Sequence, residues 1–250
     1  MNSLVLINTK EWLRLKFFHV VLFLAFVYLF LSQLVGSLSF VEKERLILDF
    51  GLAGLEVTLF FVAAFLSTHA LFKDIERKTI QVILARPIPR WHLLLGYLGS
   101  LAILNLIVVF VLGCFLALFL SDLNYIMSLF VTLFICWLKS LVIGSFGLLV
   151  GVLARPMFGF VLTVAYWLVA YAMPDIIYFS DKSKNKTLIM CTQVLDYITP
   201  QFYRFNWKDY HFIRTELNYP EIAWGILHCV GWIVLLLVLS SLFFKRKEIV

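Results

Sequence analysis

Two ionisable residues stand inside long apolar runs of this sequence, Glu56 within residues 50–72 and Lys139 within residues 125–153. A lone charge in hydrocarbon is expensive, so residues of this kind face a bundle interior or a water-filled path and find a partner there. Glu56 belongs to the series Ala53, Glu56, Phe60, Ala63, Ser67 and Ala70, whose steps of three and four place these side chains on one helical face. Two chemistries are open to Glu56 and Lys139: lining a substrate or ion path, or a structural role as a buried pair or as snorkelling side chains. Counted from the ends of their apolar runs, Glu56 lies about six residues deep and Lys139 about fourteen, roughly 12 Å apart along parallel axes. Direct pairing then requires different helix ends or an extended Lys139.

The densest charges lie in residues 73–90. Asp74 to about Leu84 has helix-forming character, with Asp74 and Glu76 early and Arg86 just past the end, as a helix dipole favours. Arg86-Pro87-Ile88-Pro89-Arg90 then stops it, because proline lacks an N–H and pushes the preceding residue out of the α region. A third pattern is Ser140, Gly144, Gly147 and Gly151, small residues at steps of four, three and four that let two helix backbones approach closely in lipid.

Catalytic chemistry has no comparable support. The sequence contains no Gly-Lys pair, so no phosphate-cradling loop, and neither His-Glu-x-x-His nor Gly-x-Ser-x-Gly. The histidines at 19, 69, 92, 211 and 228 are dispersed. The four cysteines form no Cys-x-x-Cys and mostly sit in apolar runs, as small core hydrophobes do. No catalytic residue, no metal site and no cofactor bound by this chain is expected.

The elements that must position these residues follow from composition. With 62% hydrophobic and 14% charged residues and a mean hydropathy of +0.96, the chain departs from soluble proteins, where about 25% of residues are charged. The expectation is an all-α membrane protein, a single transmembrane domain over 1–250. Residues 1–16 suit an interfacial helix with snorkelling basic ends. Six spans are expected at 17–41, 50–72, 91–120, 125–153, 157–174 and 222–244. The first exceeds the apolar core of about 7–15 residues in a cleaved leader, so it is read as a retained span. Pro174 is expected to end the fifth, and residues 175–221 carry too many aromatics for a disordered linker, which suggests interfacial or re-entrant helices.

Six spans place both termini on one side. That side, with residues 73–90 and Arg155, holds twelve basic residues against four acidic ones, and the opposite side eight against ten. By the positive-inside rule the termini and 73–90 are cytoplasmic and 175–221 is external. This asymmetry also accounts for the net charge of +6 without nucleic acid as a partner.

The run Asp74-Ile-Glu76-Arg77-Lys78-Thr79-Ile80, continuing through Leu84, Pro87 and Arg90 to Gly96, resembles the signature of ABC transporter permeases of the type-2 exporter family. Lys78 and Tyr97 stand where glycine and lysine are frequent there. The interfacial segment, six spans, Pro200-Gln-Phe-Tyr-Arg-Phe-Asn206 and the closing Phe243-Phe-Lys-Arg-Lys247 are similar too. The resemblance implies that 73–90 is the coupling helix that docks on a separate cytoplasmic ABC ATPase, which binds ATP and magnesium. Asp74, Glu76, Arg77 and Thr79 would form or brace that helix, and Arg86, Pro87, Pro89 and Arg90 would fix the return into the third span. It further implies a second permease copy or paralogue, a bacterial cytoplasmic membrane, contact with membrane lipid, and alternating-access movement of an amphiphilic or lipid-like substrate. The rival classes are an ion-coupled secondary transporter using Glu56 and Lys139, and a non-transporting membrane scaffold for an ATPase.

Overall fold

The computed structural model describes residues 2–38, 43–76, 90–119, 123–183, 185–205 and 219–246. All regular structure among the described residues is helical: α1 (Asn2–Leu13), α2 (Lys16–Ser37), α3 (Lys43–Glu76), α4 (Arg90–Ala117), α5 (Leu123–Leu153), α6 (Pro156–Ser183), α7 (Lys186–Ile198), a 3-10 turn (Phe202–Phe205) and α8 (Tyr219–Arg246). Six of these helices, α2 to α6 and α8, are long and apolar enough to cross a membrane. The protein is a multi-pass membrane protein.

Burial separates the bundle into a centre and a rim. The most apolar window of α5 is 78% buried, whereas those of α6 and α8 are each 17% buried. α5 therefore forms the axis, packed by α3, α4, α6 and α8. The rim turns Phe23 and Phe30 of α2, Phe158 and Val161 of α6, and Leu227 and Val234 of α8 outward, as helices do when their solvent is lipid. α1 lies against α4, with the Leu4 side chain at Gly96, Val5 at Gly99 and Trp12 buried. A short break at Arg14–Leu15, where Leu15 is extended, turns the chain from α1 into α2.

Two helices run seven or more residues past an end expected from apolarity. α3 begins at Lys43, seven residues before the expected start at 50, because Arg45 and Asp49 pair across one turn at 3.9 Å and Ile47 and Leu48 bury against the bundle. α6 continues through Pro174 to Ser183. Pro174 removes the N–H that the Ala170 carbonyl would otherwise accept, a loss that membrane helices tolerate when packing compensates. Here Ala170, Met173 and Ser180 stay buried on one face across the proline, so tertiary contact carries the helix onward.

The chain then folds back over this end of the bundle. Asn185 caps α7 by accepting from the Thr187 N–H at 3.1 Å, and Pro200 follows an extended Thr199. The 3-10 turn drops Phe202 and Phe205 into the bundle, Phe205 against Gly225 of α8.

Candidate functional site

Glu56 and Lys139 meet. Lys139 Nζ donates to Glu56 Oε1 at 3.2 Å, with both side chains about nine-tenths buried. The longer α3 removes most of the offset counted from the apolar runs: Glu56 lies about 20 Å from the start of its helix and Lys139 about 24 Å. The remaining few ångströms are within reach of a lysine side chain.

The pair is the floor of a cleft. A cavity of about 200 Å³ is lined by Glu56, Lys139, Trp167, Tyr171, Pro174, Asp175, Phe202 and Tyr203. Its walls come from three directions. α3 and α5 supply the pair, α6 supplies Trp167, Tyr171 and Asp175 at steps of four on one face, and the 3-10 turn supplies Phe202 and Tyr203. Phe60 stacks on Trp167 at 4.2 Å between ring centroids, and Trp167 lies 5.7 Å from Tyr171. The Phe202 ring centroid stands 6.0 Å from Lys139 Nζ, so this aromatic closes over the ammonium.

The roof is itself braced. Gln201 Nε2 donates to Asp196 Oδ2 at 2.8 Å, the Tyr203 hydroxyl donates to Asp196 Oδ1 at 3.2 Å, and Arg204 Nε donates to the Tyr203 oxygen at 3.4 Å. The hydrogen bond to Tyr203 raises Arg204 above its ordinary pKa, so the guanidinium stays cationic beside Asp196. α7 and the turn are thus one unit hydrogen-bonded through Asp196. Sequence reasoning named Glu56 and Lys139 but missed Trp167, Tyr171, Asp175, Phe202 and Tyr203. The signal for them was the aromatic density around and after Pro174.

The small-residue seam of α5 packs inside the chain. A Cβ on Gly144 would stand 2.1 Å from Leu101, and one on Gly147 would stand 1.9 Å from the Ser67 hydroxyl. Gly151 faces the backbone carbonyls of Ser67 and Thr68, and Asn105 Nδ2 donates to Ser140 Oγ at 2.9 Å. Small residues on α5 therefore meet small residues on α3, where the face holding Ala63, Ser67 and Ala70 is buried.

At the other end of the bundle, Lys73 pairs with Glu11 of α1, and the Tyr97 hydroxyl donates to Asp74. These contacts tie the end of α3 to both α1 and the start of α4. Ser100 Oγ also lies 3.2 Å from the Val5 carbonyl, adding to the α1–α4 seam. Glu76 is exposed as the last residue of α3, and Arg90 opens α4. Arg77, Thr79, Arg86, Pro87 and Pro89 lie outside the described residues.

Residues 39–249 match the family model described as ABC-2 family transporter protein. The chain belongs to this family. Comparison with curated proteins gives no match. As an ABC-2 permease it is the transmembrane, generally non-catalytic part of an ABC transporter, and such permeases generally work with ABC ATPase subunits.

Proposed function

We propose that this permease moves an amphiphilic or lipid-like substrate outward across, or out of, a bacterial cytoplasmic membrane, driven by ATP and magnesium bound to a separate cytoplasmic ATPase. Both termini and residues 73–90 face the cytoplasm, and α7 with the 3-10 turn lies outside. A second permease copy or paralogue completes the transmembrane unit, and membrane lipid surrounds it. The Glu56–Lys139 cleft lies on the substrate path.

The observation that carries this reading is the fastening at the cytoplasmic end of α3. The ion pair from Lys73 to Glu11 and the hydrogen bond from Tyr97 to Asp74 join the helices entering and leaving 73–90 to each other and to α1. A segment anchored at both ends to packed helices can pass a push from ATPase closure to the spans, whereas a loose loop would absorb it. Docking by Asp74, Glu76, Arg77 and Thr79, with the turn fixed by Arg86, Pro87, Pro89 and Arg90, completes the coupling. Reversing the exposed charge with Glu76→Lys is expected to detach or uncouple the ATPase. Unchanged co-purification together with unchanged transport-linked ATP hydrolysis would sink the docking assignment.

The buried pair also supports a second reading, ion-coupled transport through Glu56 and Lys139. ATP-driven transport by the reconstituted complex that persists when the proton gradient is collapsed removes it.

A further inference from the structure

The cleft differs in charge and shape from the other recesses of the bundle. An apolar groove of about 450 Å³ between α2 and α3 and one of about 340 Å³ between α4 and α8 are lined almost wholly by hydrocarbon. The cleft instead brings two carboxylates and an ammonium, Glu56, Asp175 and Lys139, together with four aromatic rings.

Its charge balance has a sign. Glu56 and Lys139 neutralise each other at 3.2 Å, and Arg204 and Asp196 offset each other around Tyr203 at the roof. Among the described lining residues this leaves Asp175, exposed at the mouth, as the uncompensated charge. Four rings, Trp167, Tyr171, Phe202 and Tyr203, border the same space. The faces of aromatic rings carry negative potential, and a carboxylate adds to it, so the cleft attracts a cation and repels an anion. Lys139 does not reverse this, because its ammonium is bonded to Glu56 and covered by Phe202.

Size and position narrow the ligand further. About 200 Å³ is below the range of roughly 300–1,000 Å³ that holds a whole drug-sized molecule, and suits a headgroup with a short piece of chain. The α6 wall leads outward: Tyr171 is 57% exposed and Leu168, one turn nearer the bundle centre, is 51% exposed on the rim. A headgroup can enter the cleft while its tail lies along α6 in the bilayer.

We propose that this cleft binds the cationic headgroup of an amphiphile, an amine or quaternary ammonium, between Asp175 and the rings of Trp167, Tyr171 and Tyr203. The assignment rests on the transport reading above for its meaning as a substrate site. It is tested with the full chain, assembled with its ATPase in micelles of an uncharged maltoside detergent, by calorimetric titration with hexyltrimethylammonium and with hexanesulfonate. The ammonium is expected to bind and the sulfonate not, and Asp175→Asn is expected to weaken the ammonium about tenfold while Asp175→Glu retains it. Equal binding of the sulfonate, or an unchanged affinity in Asp175→Asn, overturns the assignment. ATP hydrolysis in the same samples separates the two ideas. Selective binding of the ammonium without any change in hydrolysis upholds the site and counts against transport. Coupled transport of other amphiphiles without cation preference upholds transport and overturns the site.

Discussion

The helix α5 carries two regions that sit within four turns of each other and are built on opposite principles. From Ser140 to Gly151 it is a close-packed seam, where missing side chains let the α3 backbone come close and a Cβ added at Gly144 or Gly147 would collide with Leu101 or Ser67. At Lys139 the same helix borders a polar cleft, where a buried ion pair and aromatic rings leave space. The seam gains stability from close van der Waals contact, the main attraction available between helices in lipid. The cleft gives up contact and must instead satisfy charges. The close-packed joint and the polar recess therefore sit side by side on one helix and respond to different substitutions.

This contrast can be broken from either side. Glu56→Leu leaves Lys139 buried without its partner and is expected to cost about 3–5 kcal/mol, whereas Glu56→Leu with Lys139→Met is expected to recover most of it. Thermal unfolding of both variants in nanodiscs measures the difference, and equal losses would show that the pair is not the local source of stability. Gly147→Val attacks the seam and is expected to cost about 1–3 kcal/mol through overpacking against Ser67. Its readout is the same unfolding midpoint together with unchanged ammonium binding at the cleft; a lost cleft with a retained midpoint would reverse the assignment of joint and recess. The smallest effect is expected at the far end. Tyr97→Phe removes the hydrogen bond to Asp74 at a cost of about 1 kcal/mol, read as a small drop in the unfolding midpoint, with weaker stimulation of the ATPase and unchanged ammonium binding.

Much of the architecture was legible before any coordinates. Long runs without charge announce spans because every backbone polar group must be satisfied within a helix in lipid. The glycine spacing announced a close helix contact, though not that α3 and α4 would be its partners. The helix ends were less legible. Arg45 and Asp49 looked like a loop by charge and proved to be a helical turn, and Pro174 looked like a terminus and proved to be interior. In both places local polarity or propensity favoured a break, and packing of neighbouring residues overrode it.

The residues at the cleft divide the same way. Sequence alone determined that Glu56 and Lys139 are charges in an apolar setting and must be answered by something, because solvation energy depends on residue type and surroundings. It also determined the family, through the order of residues around Asp74 to Arg90. Only the tertiary structure decided that the two charges answer each other, that Phe202 and Tyr203 return from beyond α7 to cover them, and that Asp175 is left at the mouth. The two charges lie 83 positions apart in the chain, and contacts over such separations are set by how whole helices pack rather than by any local pattern.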